Sequence, residues 1–144
     1  MEASLATASP LARRIYANQR WTATSVQQFI NRVIGATIAT VRADGKPHAA
    51  VVLAACLDGT IYFTASPRSA LLGNLRRQSA VALTFTDPDH DATMAGDARL
   101  VGRASEVPDL IGDLRRLSRR GQFTPPDWDG YLYAVRVERI FLSS

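Results

Sequence analysis

The chain has 144 residues, of which 47% are hydrophobic and 21% charged, and its formal net charge is +4. This length supports one domain with a real core, and the composition is that of an ordinary soluble globular protein. The modest positive charge favours anionic ligands without demanding nucleic acid. No segment approaches the ~20 apolar residues of a membrane span, and no secretory signal is visible. We therefore expect a cytoplasmic protein without a membrane or nucleic-acid partner.

The first elements are an arm and a helix. Residues 1–20 show no clear period and are predicted to form an N-terminal arm, ahead of a single domain over residues 21–144. Ser25 and Gln28 fit a capping box, and Gly35 is well placed to end the helix that follows. The apolar residues of this helix recur on one face, namely Val26, Phe29, Ile30 and Val33.

Three strands come next, joined by two Asp-Gly turns. They are predicted over residues 36–42, 48–55 and 60–65. Cys56 is the only cysteine, so no internal disulfide can form. Because it lies in an apolar run, it is predicted to be a buried, inert thiol.

A helix is predicted over residues 67–78, directly after the third strand. Ser66 suits its N-cap and Pro67 its first position, which would put Arg68 and Ser69 in the first turn. A helix start offers unpaired N–H groups and a partial positive charge, to which one guanidinium and two hydroxyls are added here. This combination can hold a phosphate. The same residues could also cap the helix and bind nothing.

The remaining chain alternates strands with one more helix. Strands are predicted over residues 80–86, 99–107 and 131–142, a polar connection over 87–96, and a loop over 121–129. A helix begins at Pro108, with its inward residues predicted to be Leu110, Ile111, Leu114 and Leu117. Because hairpins outnumber crossovers, the order α-β-β-β-α-β-β-α-β predicts a mainly β (α+β) fold. We expect six antiparallel strands closed into a barrel with flanking helices.

One acidic segment raises the question of a metal site, and its members are Asp87, Asp89, His90 and Asp91. Pro88 and the position between two strands favour a solvated turn instead. The spacing also does not match a calcium-binding EF-hand loop. No metal is expected.

Two stretches, with this order of elements, resemble the pyridoxamine 5′-phosphate oxidase-like superfamily of split β-barrels. They are ATIATVRADGKPHAAVV over residues 36–52 and DGTIYFTASPRSALLGNLRRQSAVALTF over residues 58–85. Members bind FMN or the deazaflavin F420, usually as homodimers with the cofactor in a groove between the subunits. The resemblance therefore implies an FMN- or F420-dependent oxidoreductase that acts on a small organic substrate, with the hydride chemistry supplied by the cofactor.

The resemblance also implies a set of cofactor-binding residues. The backbone over residues 48–53 would lie along the ring system, and three hydroxyls with the helix start would hold the phosphate. His48 could instead be only a half-buried strand residue. The candidate cofactor-binding residues are His48, Val51, Val52, Thr64, Ser66, Arg68, Ser69 and Asn74.

The chain departs from the family pattern in two places. Many members carry a basic pair directly after the position of Ser69, where this chain has Ala70 and Leu71; Arg68 could replace that pair from one position earlier. The Trp- and Arg-containing C-terminal signature used by pyridoxamine phosphate oxidases for their substrate is absent, so that reaction is not expected. The missing pair favours an alternative, a non-catalytic flavin- or haem-binding protein on the same barrel. A third hypothesis is an interaction module with an empty groove.

The sequence allows two interpretations for a pair of aromatic residues and two for a cluster of arginines. Trp128 and Tyr131 either complete the core or cover a partner's cofactor groove. The basic residues of the last helix either form a solvated face or contact an acidic tail such as the polyglutamate of F420. These basic residues are Arg115, Arg116, Arg119 and Arg120.

Overall fold

The computed structural model describes residues 21–125 and 127–143, and the predicted arm at 1–20 lies outside them. Within these residues the elements follow in the predicted order. The helices are α1 (Ala23–Val33), α2 (Ala70–Arg77) and α3 (Pro108–Leu117). The strands are β1 (Gly35–Val41), β2 (Pro47–Leu57), β3 (Thr60–Ala65), β4 (Ala80–Thr86), β5 (Asp91–Arg103) and β6 (Tyr131–Ser143).

The six strands close into a barrel in the order β1-β2-β3-β6-β5-β4, and every neighbouring pair is antiparallel. The predicted fold class is therefore confirmed. None of the described helices is long and apolar enough to cross a bilayer.

The prediction of a polar connection over residues 87–96 is wrong from Asp91 onward. Strand β5 begins there and pairs with both β4 and β6. Its inward positions include Ala92, Met94 and Gly96, which alternate with half-buried residues. Small residues with weak β-propensity hide this alternation in the sequence. The predicted end at 107 is also late, because β5 stops at Arg103.

The core fills the barrel, and the helices cover its surface. Phe63, Leu83 and Phe85 are fully buried inside it. Helices α1 and α2 pack on this main cluster, whereas α3 packs through Ile111 and Leu114 on a second, smaller one. The predicted inward position of Leu117 is wrong, since this side chain is exposed. Helix α3 ends there, and its C-cap Ser118 is extended.

The ends of α1 differ from the prediction by a few residues. Its N-cap is Thr22, and Ser25 is the third helical residue of the capping box, with Oγ accepting from Thr22 N at 2.9 Å. In most capping boxes a Glu or Gln side chain accepts this hydrogen bond, whereas here the acceptor is a serine hydroxyl. The helix ends at Ile34, in the left-handed region at φ 54°, and not at Gly35. Ile34 holds this strained conformation while its carbonyl accepts from Ala54 N at 2.7 Å.

The acidic segment forms a turn that is tied to α1. Asp87 Oδ1 accepts from the backbone N–H groups of Asp89 and His90, both at 2.8 Å. Arg32 donates to Asp87 Oδ2 at 3.0 Å. The bond from Asp89 N, with those from Arg32 and His90, lowers the pKa of Asp87 to about 2. In residues 21–125 and 127–143, no three His, Cys, Asp or Glu side chains are grouped so as to hold a metal ion.

We expect Asp87→Asn to flatten the acid limb of the stability curve. A carboxyl whose folded-state pKa is lowered stabilises the fold above its unfolded-state pKa of about 3.9, and this contribution is lost as the pH falls. For Asp87 the loss runs from about pH 4 down through its pKa of about 2. Urea midpoints measured across this range should fall less steeply for the variant than for wild type. Parallel curves, or the same flattening in Asp89→Asn, would contradict the assignment.

Candidate functional site

A groove of about 320 Å³ lies between β2, the end of β3 and the start of α2. It brings together six of the eight candidate cofactor-binding residues; Arg68 and Asn74 do not line it. The lining residues are His48, Ala50, Val51, Val52, Leu53, Thr64, Ser66, Ser69, Ala70, Leu71 and Trp128.

Strand β2 supplies the apolar wall of the groove. Val51 is 78% exposed, and Ala50 is half-buried beside it. Ala50 and Val51 have short side chains, so a ligand can approach the backbone of the strand closely. Apolar walls with a few polar groups are typical of ligand sites. The strand can therefore support a flat ring system.

The start of α2 supplies the polar end, and here the sequence-based prediction is wrong. The N-cap is Ser69, not Ser66, and the first helical residue is Ala70, not Pro67. Ser66 O accepts from Ser69 N at 3.1 Å and from Ser69 Oγ at 2.8 Å. Arg68 therefore lies in a turn before the helix, exposed to solvent. Ser69 Oγ accepts from Leu72 N at 3.4 Å, so the later serine makes the capping hydrogen bond.

This later helix start changes what can meet an anion. The first N–H groups of a helix have no intrahelical acceptor, and here they belong to Ala70 and Leu71, which both line the groove. The hydroxyls of Ser66 and Ser69 line the same end. No acidic residue lies in the first turn of α2. The polar end thus has donors and a favourable helix dipole for a phosphate, but no lysine or arginine lines it.

His48 contributes an unusual nitrogen. The residue is half-buried and lines the groove, as both interpretations of the sequence allowed. Its Nδ1 is buried and has no hydrogen-bond partner within the described part of the chain. Buried polar atoms are nearly always hydrogen-bonded. This nitrogen is therefore a candidate ligand contact that no sequence signal reveals.

Asn74 is a buried bridge between α2 and β1. Its Nδ2 donates to Thr40 Oγ1 at 3.1 Å, and its Oδ1 accepts from Arg77 at 2.8 Å. Asn74 thus fixes the helix against the barrel from outside the groove. Its bond to Thr40 therefore joins the helix beside the groove to the barrel.

Trp128 and Tyr131 have different surroundings. Trp128 is half-buried, packs against the second core cluster and closes one side of the groove of its own chain. Tyr131 packs against the main cluster, with Arg103 5.2 Å and Arg76 5.8 Å from its ring centroid. Both residues thus pack on core clusters, as one interpretation of the sequence held, and the cover of a partner's groove stays a prediction.

The described side chains of this basic cluster, those of Arg115, Arg116 and Arg119, lie away from the groove. Arg115 donates to Thr124 Oγ1 at 2.8 Å, and Arg116 pairs with Asp113 on its own helix. Arg119 lines a separate recess beside α1. The side chain of Arg120 is outside the described residues. None of the three described side chains lines the groove.

Comparison with known proteins adds a family and a fold. The profile of the family described as pyridoxamine 5′-phosphate oxidase matches residues 23–125. No curated protein matches the chain. Solved structures do match it. One is a protein of unknown function from Agrobacterium tumefaciens str. C58, with 22% identity and a TM-score of 0.66 over 84% of this chain and 55% of that one. The chain thus spans about half of that protein.

Two further structures have names that mention a ligand. An F420 reductase is 23% identical, with a TM-score of 0.64 over 80% of this chain and 94% of that chain. The heme storage protein HutZ from Vibrio cholerae is 18% identical, with a TM-score of 0.66 over 83% of this chain and 93% of that chain. At these identities the likeness concerns the fold.

Proposed function

Because this chain belongs to the pyridoxamine 5′-phosphate oxidase family, we propose that it is a flavin- or deazaflavin-dependent oxidoreductase. Its cofactor is FMN or F420, and its substrate is a small organic molecule. One observation carries the proposal: a low apolar strand and a helix start with two serine hydroxyls form the two ends of a single groove. The F420 reductase of the same fold is consistent with it.

Each end of the groove has its own task in this proposal. The Ser66 hydroxyl, whose proton is not used within the turn, donates to phosphate oxygens with the free N–H groups of α2, and the helix dipole favours the negative charge. Val51 and Val52 support the ring system, and Trp128 limits the access of water to one side. When bound, the cofactor supplies the hydride chemistry, and the protein supplies orientation. Arg68 acts only at longer range, because it is exposed outside the groove.

The proposed enzyme is a homodimer, with a second copy covering the open side of the groove. Val51 is 78% exposed and Phe141 59% exposed, although both are large hydrophobic residues. Val51 lines the groove itself, so a second copy seated on the groove would cover it, as the family resemblance implies. We expect sedimentation velocity at micromolar concentration to give a dimer, and Val51→Asp to shift it toward monomer. A wild-type monomer would refute this part of the proposal.

The absorbance spectrum of the purified protein is the first test of the function. Flavin bands, or saturable binding of added FMN or F420 followed by fluorescence, support it. Oxidation of bound F420H2 or reduced FMN by an organic acceptor would then establish catalysis. A protein that binds neither compound at micromolar concentration would refute the proposal.

The alternative is a non-catalytic haem- or flavin-binding protein on the same barrel. The unpartnered buried Nδ1 of His48 favours it, because a neutral imidazole is a common metal ligand. The fold shared with HutZ is consistent with it. A Soret band that is lost in His48→Ala would favour haem, whereas flavin bands without turnover would favour a flavin-storage role.

A further inference from the structure

A second recess of about 360 Å³ adjoins the groove. It lies between α2 and the turn that joins β1 to β2. His48 and Ala70 line both cavities, so a ligand in the groove can extend into the recess. The lining residues of the recess are Arg42, Ala43, Asp44, His48, Ala70, Asn74 and Arg77.

The recess carries the positive charge that the groove lacks. Arg77 donates to the neutral Oδ1 of Asn74 at 2.8 Å, and among the described residues no carboxylate lies within 4.0 Å of it. Arg42 pairs with Asp44 at 2.8 Å. Two guanidiniums and one carboxylate leave the lining with one excess positive charge.

The Arg77 side chain extends toward the N-terminal end of α2. A Cβ built on Gly73 would lie 3.8 Å from Arg77 Nη1. The guanidinium therefore lies back along α2 toward the helix start, as long helical side chains usually do. Ala70, Asn74 and Arg77 follow the spacing of one helical face, and all three line the recess.

Resting on the function proposed above, we propose that this recess is the anion site of the ligand. Arg77 and Arg42 neutralise its phosphate ester, which sits at the boundary of the two cavities against the start of α2. Arginine binds phosphate through paired N–H donors. His48 lines both cavities beside this boundary. These residues take the place of the basic pair that is missing at Ala70 and Leu71.

Titration with two matched ligands tests the site, since riboflavin is FMN without its phosphate. We expect Arg77→Gln to weaken FMN binding by about tenfold or more and to leave riboflavin binding within about twofold of wild type. Arg77→Lys, which keeps the charge, should recover part of the loss. Arg116→Gln removes the same charge from a side chain that lines neither cavity, and it should change nothing. If wild type binds F420 instead, the same comparison uses F420 and its phosphate-free deazaflavin.

Other outcomes overturn the proposal in separable ways. An unchanged preference for FMN over riboflavin in Arg77→Gln, or a loss that appears in Arg68→Gln instead, would refute the recess and leave the function intact. If wild-type protein binds riboflavin as tightly as FMN, the phosphate makes no contribution to binding, and the proposed anion site is refuted while the proposed function stands. If wild type binds neither FMN nor F420, both proposals fail together. Thermal midpoints of all variants show whether any loss comes from unfolding.

Discussion

Ala70→Asp is expected to abolish tight binding of a phosphate-bearing cofactor without weakening the fold. The side chain is exposed and lines both cavities, so a carboxylate there would face the ester. At an effective dielectric constant of 20, like charges about 4 Å apart repel by about 4 kcal/mol. Even half of that corresponds to a loss of affinity of about thirtyfold. An acidic residue in the first turn of a helix is also favourable by ~0.3–1 kcal/mol, so the thermal midpoint should stay level or rise.

A substitution that introduces the opposite charge at the same position supplies the control. Ala70→Lys should tighten FMN binding and lower the thermal midpoint slightly, because a cation at the helix start opposes the dipole. Riboflavin affinity should change little in either variant. If Ala70→Asp bound FMN as wild type does, the negative end of the ligand would lie somewhere other than the start of α2.

Asn31→Leu is expected to cause the largest loss of stability. Asn31 is 7% exposed, and its side chain binds both backbone groups of Cys56: Oδ1 accepts from Cys56 N at 2.7 Å, and Nδ2 donates to Cys56 O at 2.9 Å. Leucine has a similar size but leaves this N–H and C=O buried without partners. Each unsatisfied group costs ~1–3 kcal/mol, so we expect a loss of about 2–6 kcal/mol in the free energy of unfolding.

Chemical denaturation measures this loss. The matched control is Gln28→Leu, a similar change on the same helix at an exposed position, which should stay within about 0.5 kcal/mol of wild type. A second readout is the thiol. Burial raises the pKa of Cys56 to about 12, so the thiol of the folded wild type reacts slowly at neutral pH. Because Asn31→Leu weakens the packing around Cys56, a thiol reagent should modify this variant faster than wild type. Equal stability of the two variants would mean that β2 does not depend on α1 for these bonds.

The arrangement of elements could be predicted because local signals agree with the final packing. Strand β3 and strand β4 have the predicted bounds, since alternation and flanking turns mark both of them. Strand β5 was missed at its start, since Ala92 and Gly96 carry no strand signal of their own. A Cβ on Gly96 would lie 2.0 Å from Arg136 O, so the close approach of β6 requires glycine there. Only the assembled barrel reveals this contact.

The sequence and its family resemblance predicted that most of the residues lining the groove lie together, but not which charges surround them. A serine cap after β3 predicted a helix start with hydroxyls, and the structure places Ser66 and Ser69 together there. Which serine caps the helix depends on packing, and this choice moves Arg68 out of the groove. Arg77 lies in α2 and Arg42 in the turn after β1, 35 positions apart. Their approach to the same recess depends on how α2 lies against β1, which Asn74 and Thr40 fix through a buried hydrogen bond.

A crystal structure of the protein with bound FMN or F420 would show where the ligand lies. We expect phosphate oxygens within hydrogen-bond distance of Ser66 and the first N–H groups of α2, with the rings along β2 and Arg77 turned toward the ester. A ligand bound elsewhere, or a phosphate pointing away from α2 into solvent, would contradict this expectation.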